Sequence, residues 1–187
     1  MRITGGKLKG RIIKCPDGVI RPAMDRMRES VFAILGDLTG KSWLDLFSGS
    51  GTIAIEAVSR GASSVELCEK DRIKVNTVLE NVSVTEKECG VKIQCHFMPV
   101  EYFIKRCKSQ FDYIFFDPPF PYKFNEQLIA DLVETDLIES ETSFVTKLEY
   151  NLADDIDKLS APSVVVNALI EDVLKDPLVG IFKLSLK

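Results

Sequence analysis

Between residues 42 and 148, short apolar runs alternate with stretches of helical spacing, and this alternation constrains the fold more than any other feature. Ser42-Trp43-Leu44-Asp45-Leu46-Phe47 reads as a strand, followed by a glycine loop and a helix over about 52–60. Ser64–Glu69 is the next strand, then a helix from Asp71 to Val84, a strand over Val91–Phe97 and a helix near 99–108. Phe111–Asp117 is the fourth strand, with a helix near 124–134 before the strand Ser143–Leu148. Parallel strands need crossover connections of a dozen or more residues, usually helices. The pattern therefore predicts a mostly parallel sheet covered by helices on both faces, a three-layer α/β sandwich. At 187 residues the chain is long enough for one such domain with a full core.

The two ends depart from the alternation. Residues 2–15 alternate loosely around Gly5-Gly6 and Gly10, which suits a β-hairpin. Pro22 opens a helix over 22–36, with Met27, Val31, Ile34 and Leu35 on one face. Near the C-terminus a short helix at 151–158 leads to strands Ser163–Leu169 and Val179–Leu186. The link between these is too short for a crossover helix, which predicts antiparallel pairing. The expected organisation is a basic hairpin arm, residues 1–20, on a domain of residues 21–187 with seven strands, the C-terminal one antiparallel.

In an open parallel sheet, ligands bind at the carboxyl ends of the strands. Asp45, Glu69 and Asp117 stand at the tips of the first, second and fourth strands, so the candidate chemistry converges on one edge. Gly49, Gly51 and Ala54 satisfy the dinucleotide pattern G-x-G-x-x-G/A, with Glu69 twenty residues beyond Gly49 as a ribose-binding acid. Spacing alone leaves NAD open. Charge argues for another ligand, because Asp45 would stand close to the pyrophosphate that such a loop cradles. S-adenosylmethionine carries an ammonium and a sulfonium, and both suit Asp45. A tight turn with no ligand is the plain alternative.

Asp117-Pro118-Pro119-Phe120 follows the apolar run Tyr113-Ile114-Phe115-Phe116. Proline fixes φ and has no N–H to donate, so two in a row present carbonyls as fixed acceptors. A carboxylate with such carbonyls can hold a planar amino group, and an aromatic ring can stack on the base that carries it. A strand-ending turn uses the same residue types, and the motif serves adenine as well as guanine.

Charge is uneven along the chain. Residues 1–28 carry eight Lys and Arg against Asp17 and Asp25, a net of +6 in a chain of net −4, so the remainder carries −10. A basic arm on an acidic body fits a polyanionic partner, with Lys7, Lys9, Arg11, Arg21, Arg26 and Arg28 as candidate contacts. Arg26 and Arg28 pairing with nearby acids is the competing reading. Glu56 and Arg60, four apart on a helix, read as an ion pair. Five cysteines without a Cys-x-x-Cys pair and a single histidine, His96, give no zinc pattern, and His96 reads as a packing residue. No apolar run approaches a membrane span. The N-terminus lacks an apolar signal core, and the expected location is cytoplasmic.

Four segments stand together at one spacing. They are Arg21-Pro22-Ala23-Met24-Asp25-Arg26-Met27-Arg28-Glu29, Leu44-Asp45-Leu46-Phe47-Ser48-Gly49-Ser50-Gly51, Glu56-Ala57-Val58-Ser59-Arg60-Gly61-Ala62 and Asp117-Pro118-Pro119-Phe120. Over residues 1–150 the chain resembles the bacterial 16S rRNA guanine-N2 methyltransferases of the RsmD type. The resemblance implies a class I, Rossmann-like methyltransferase fold, S-adenosylmethionine as methyl donor, and a guanine of 16S rRNA in the 30S subunit as acceptor; a monomer without a metal is expected. It assigns cofactor contacts to Asp45, Phe47, Gly49, Gly51 and Glu69, and the acceptor site to Asp117, Pro118, Pro119 and Phe120. Three departures accompany it. Ala23 and Met24 replace the family's threonines, and the C-terminal strand keeps Gly180 but little around it. No acid follows the third strand, which leaves a backbone amide near Val100 for the adenine. An adenine-N6 methyltransferase, an NAD enzyme and a non-catalytic RNA-binding assembly factor remain the alternatives.

Overall fold

A computed structural model describes residues 1–15, 23–119, 127–128, 131–132, 135, 137, 142–147, 164–168 and 179–186. The elements are α1 (Ala23–Leu35), β1 (Ser42–Asp45), α2 (Thr52–Ser59), β2 (Ser64–Cys68), a 3-10 turn (Arg72–Lys74), α3 (Val75–Cys89), β3 (Ile93–His96), α4 (Val100–Ile104), β4 (Tyr113–Phe116), β5 (Ser143–Lys147), β6 (Val164–Ala168) and β7 (Val179–Leu186). The strands hydrogen-bond in the order β3-β2-β1-β4-β5-β7-β6. The first five are mutually parallel, and β7 runs antiparallel to β5 and β6. The expected helix at 151–158 lies outside the described residues, as do Arg21 and Phe120.

Side chains alternate across the pleat, and each face of the sheet has its own core. Trp43, Val65, Leu67, Ile93, Phe115 and Val145 pack with α1, α2 and α3 on one face. Leu44, Cys68, Ile114 and Phe116 pack with α4 and with Leu128, Leu132 and Leu137 on the other. Trp43 stacks on Phe32 of α1 with ring centroids 5.3 Å apart. Burial on both faces explains why the strands read as unbroken apolar runs.

The second long helix differs from its sequence reading at both ends. Asp71 accepts a hydrogen bond from Ile73 N and opens a 3-10 turn. The α-helix then continues to Cys89, five residues past Val84, where Gly90 ends it at φ 74°. The polar run 86–88 hides this extension because it has no apolar periodicity.

The N-terminal segment is a strap lying flat on α2. Its expected hairpin reduces to one antiparallel bridge, Arg2 to Ile12, flanked by Ile3 N to Arg11 O at 2.8 Å and Ile13 N to Met1 O at 2.7 Å. Ile3, Leu8 and Ile13 enter the core, each worth about 1.5–3 kcal/mol of burial. Ser59 clasps the strap tip: its carbonyl accepts from Lys7 N at 2.7 Å, and its Oγ accepts from Leu8 N and donates to Gly5 O. All eight residues of α2 are consequently buried, Glu56 among them.

Candidate active site

The sheet register places three acids at one edge. Asp45 pairs with Leu67 of β2 on one side and Phe115 of β4 on the other. Glu69 and Asp117 therefore flank β1, each two residues farther along, on strands about 10 Å apart. Asp45 is wholly buried between them. Its Oδ2 accepts from Ser48 Oγ at 2.7 Å, and its Oδ1 has no hydrogen-bond partner. Burial pushes the Asp45 carboxyl up to about 7. The Ser48 hydroxyl and the pull of the nearby Ala54 backbone amide oppose the rise, and the charges of Glu69 and Asp117 add to it.

The turn after β1 is pinned from several directions. Ser48 N donates to Cys68 O at 3.0 Å and Gly51 N to Ser48 O at 2.9 Å. Gly49 N donates to Glu69 Oε2 at 2.7 Å, while Glu69 Oε1 accepts from Asp71 N at 2.8 Å. Lys74 also reaches Glu69, at 3.3 Å. Gly49 and Gly51 hold φ of +60° and +81°, the left-handed region that glycine alone enters freely. A Cβ at Gly49 would meet nothing within 4 Å, so the turn faces open space.

These details bear on the ligand. The amides of Gly49 and Gly51 are already engaged, which weakens the reading of this turn as a pyrophosphate cradle. A buried carboxylate with one unpartnered oxygen, two acids beside it and open space at Gly49 fits a cationic nucleoside such as S-adenosylmethionine. Among the described residues no group of three His, Cys, Asp or Glu could hold a metal.

Asp117 is partly exposed, Pro118 buried and Pro119 exposed at the end of β4. Phe47 meets Phe116 edge-on with centroids 5.6 Å apart, which brings the turn after β1 against the Asp117 segment. Val100, at the start of α4, buries its side chain in the core beside Phe116 and Cys68. Any contact it makes with a ligand is therefore through its backbone.

The basic residues divide. Lys7 and Lys9 are exposed on the strap. Arg11 is ion-paired with Glu88, and Lys14 with Glu80. Arg26 lies in α1, where only its backbone is described. Arg28 corrects the expectation of a substrate contact. Its side chain is 1% exposed, lies 3.3 Å from Glu56 and donates to the Arg2 carbonyl. A guanidinium shut into the core is out of reach of a phosphate.

Glu56 does more than its sequence spacing suggested. The pair with Arg60 is present at 3.1 Å. The same carboxylate accepts from Thr4 N, Thr4 Oγ1 and Gly5 N, so it anchors the strap. His96 also does more than pack. It lies against Phe103 with centroids 4.6 Å apart, and its Nε2 is 2.7 Å from Glu66, whose other oxygen accepts from Ser109. Asn81 of α3 was missed altogether. It bonds both the strap and the turn after β1, and a lone polar residue on a helix gives no sign of a partner 67 residues away.

Comparison with known proteins adds independent findings. The family model described as Conserved hypothetical protein 95 matches residues 1–161. Ribosomal RNA small subunit methyltransferase D of Haemophilus influenzae is 32% identical over 143 residues, 74% of each chain. The protein of that name from Escherichia coli K12 is 29% identical over 151 residues, 80% of this chain and 75% of its own. Among solved structures, the Escherichia coli protein yhhF superposes with a TM-score of 0.73 at 22% identity, covering 100% of this chain and 98% of its own. The α/β fold with its parallel sheet is thus methyltransferase-like, and the chain belongs to the Conserved hypothetical protein 95 family, that of the RsmD-type methyltransferases.

Proposed function

We propose that this protein transfers a methyl group from S-adenosylmethionine to the N2 amine of a guanine in small-subunit (16S) ribosomal RNA, within an assembled or assembling 30S particle. The observation that carries the reading is Asp45, a fully buried carboxylate with an unpartnered oxygen beside a glycine turn. An unmatched buried polar atom is costly, and a ligand that brings donors and positive charge removes that cost. The substrate class rests on the relatives, which are named as methyltransferases of small-subunit ribosomal RNA. In this reading the sheet is a class I methyltransferase sheet with an antiparallel final strand, and residues 1–20 are a basic docking arm on the domain of residues 21–187.

When bound, S-adenosylmethionine would supply an electrophilic methyl on sulfur, whose S–CH3 bond breaks on transfer to leave a neutral thioether, S-adenosylhomocysteine. Asp45 would hold its cationic amino-acid end, directly or through water, and Glu69, which holds the turn through Gly49, would accept from the ribose hydroxyls. Phe47 lines the path towards Asp117, and the backbone near Val100 meets the adenine. The Asp117 carboxylate and Pro118 carbonyl would accept the N2 hydrogens, which would favour a pyramidal nitrogen with its lone pair free to attack. Pro119 stiffens this segment and Phe120 stacks on the base. Asp117 need not be a strong base, because the cationic product nitrogen loses its proton readily, to that carboxylate or to solvent water. Holding the acceptor in line supplies most of the acceleration. The target base has to be unpaired or flipped out. Lys7, Lys9 and Arg11, with Arg21 and Arg26, meet RNA phosphates.

The test is incubation with labelled S-adenosylmethionine and either naked rRNA or 30S particles, followed by digestion to nucleosides. Label in N2-methylguanosine is the expected result. Label in N6-methyladenosine overturns the choice of base, and cofactor binding without transfer favours an assembly factor. Asp117→Ala should lower transfer by at least about a hundredfold and leave cofactor affinity within about twofold. Survival of transfer in that variant removes Asp117 from the mechanism.

A further inference from the structure

Asn81 lies in the middle of α3 and is buried. Its Oδ1 accepts from Lys14 N at 3.1 Å, and its Nδ2 donates to Lys14 O at 2.9 Å. The amide thus pairs with both backbone groups of one strap residue, as a neighbouring strand would. The same Nδ2 donates to Ser50 O at 3.1 Å, in the turn between Gly49 and Gly51. One side chain therefore joins three pieces of chain: the strap, α3 and the glycine turn.

Neither of the joined segments holds its position by local geometry alone. The Ser50 carbonyl sits between two glycines at positive φ, where the backbone is otherwise permissive. Lys14 lies beyond the strap's single ladder bridge at Arg2 and Ile12. Its side chain pairs with Glu80 at the surface, where such pairs contribute little. The buried amide is the firmer attachment. Burial also makes it unforgiving, since Lys14 and Ser50 carbonyls left without a donor are costly.

We infer that Asn81 is a positioning residue that couples the seating of the N-terminal strap to cofactor binding at the glycine turn. The inference rests on reading that turn as the cofactor loop. The coupling is reciprocal: whatever factor the seated strap contributes to cofactor affinity, bound cofactor contributes to seating of the strap. The strap then reports to the cofactor loop without touching the ligand. Asn81→Asp keeps the acceptor for Lys14 N and sets a second acceptor against the Lys14 and Ser50 carbonyls.

The experiment uses the full chain. Cofactor affinity is measured by calorimetry with S-adenosylmethionine. Strap seating is read from the rate of trypsin cleavage after Lys7, Lys9, Arg11 and Lys14, with and without saturating cofactor. In the unaltered protein, cofactor should slow strap cleavage by about fivefold or more. Asn81→Asp should weaken cofactor binding by about tenfold and abolish the protection. Val82→Ala, a core truncation on the same helix, serves as the control for general loosening and should keep both. Unchanged strap cleavage in the unaltered protein overturns the inference, even if the Asp variant fails to fold. So does cofactor affinity in Asn81→Asp within twofold of the parent, or an equal loss in Val82→Ala. Absence of any cofactor binding by the unaltered protein overturns the functional reading, and this inference with it.

Discussion

A carboxyl held near neutrality makes Asp45 a titrating group at physiological pH. An unfolded aspartate titrates at its ordinary 3.8, and burial raises the folded value to about 7. The folded form therefore keeps a proton that the unfolded chain gives up. The stability this confers is complete below pH 3.8 and is lost as pH rises through 7. Ligand binding has the opposite sign, because a cationic partner selects the ionised form. Affinity for S-adenosylmethionine should rise about tenfold between about pH 6 and 8, with up to about one proton released per site near pH 6. Calorimetry in two buffers of different ionisation enthalpy measures both quantities. Affinity that is flat across that interval would mean the cation does not meet Asp45. Asp45→Asn should flatten the profile in any case, and it should stabilise the ligand-free protein at high pH. Arg28 shows the converse lesson: its charge read as available for a phosphate, and the fold shut it into the core against Glu56.

At the level of elements, the strap depends on a close backbone approach. Gly6 holds φ of +70°, and a Cβ there would lie 1.8 Å from Ser59 O. Gly6→Ala should therefore lift the strap tip from α2 and cost about 3 kcal/mol of stability, read as a lower urea midpoint with faster cleavage after Lys7 and Lys9. An unchanged midpoint would show that the strap seats without this contact. The sheet was legible because its strands are buried on both faces and separated by helical periods. The acids at its edge were legible because each directly follows or closes such a run. What escaped reading was long-range polar pairing. Glu56 shows its i, i+4 partner Arg60 in the sequence, but nothing in the spacing marks Thr4 and Gly5, which share the same carboxylate. The end of α3 escaped because the polar residues 86–88 carry no periodicity and only Gly90 marks the stop.

Over the whole molecule, the strap tip and the acid edge lie at opposite ends of α2. The helix begins at the glycine turn and ends at Ser59, which clasps Lys7 and Leu8. Eight residues of helix separate the two places by about 12 Å. An RNA that meets Lys7 and Lys9 while placing a base at Asp117 has to span that distance. Ile12, 74% exposed on the strap, is an apolar side chain open to contact there. Replacing Lys7 and Lys9 together by Ala should weaken RNA binding and reduce the slope of log affinity against log salt by about 1.5–2. Turnover at saturating RNA should be unchanged, and an unaltered slope would place the RNA elsewhere.

The strap also fixes an order of assembly. It is synthesised before the residues it packs on: Thr4 bonds a residue 52 positions later and Lys14 one 67 positions later. At about 5–20 residues per second, its partners follow several seconds behind. Ile3, Leu8 and Ile13 remain without their core until α2 and α3 have emerged and packed. The strap is therefore made ahead of its partners and closes only after them.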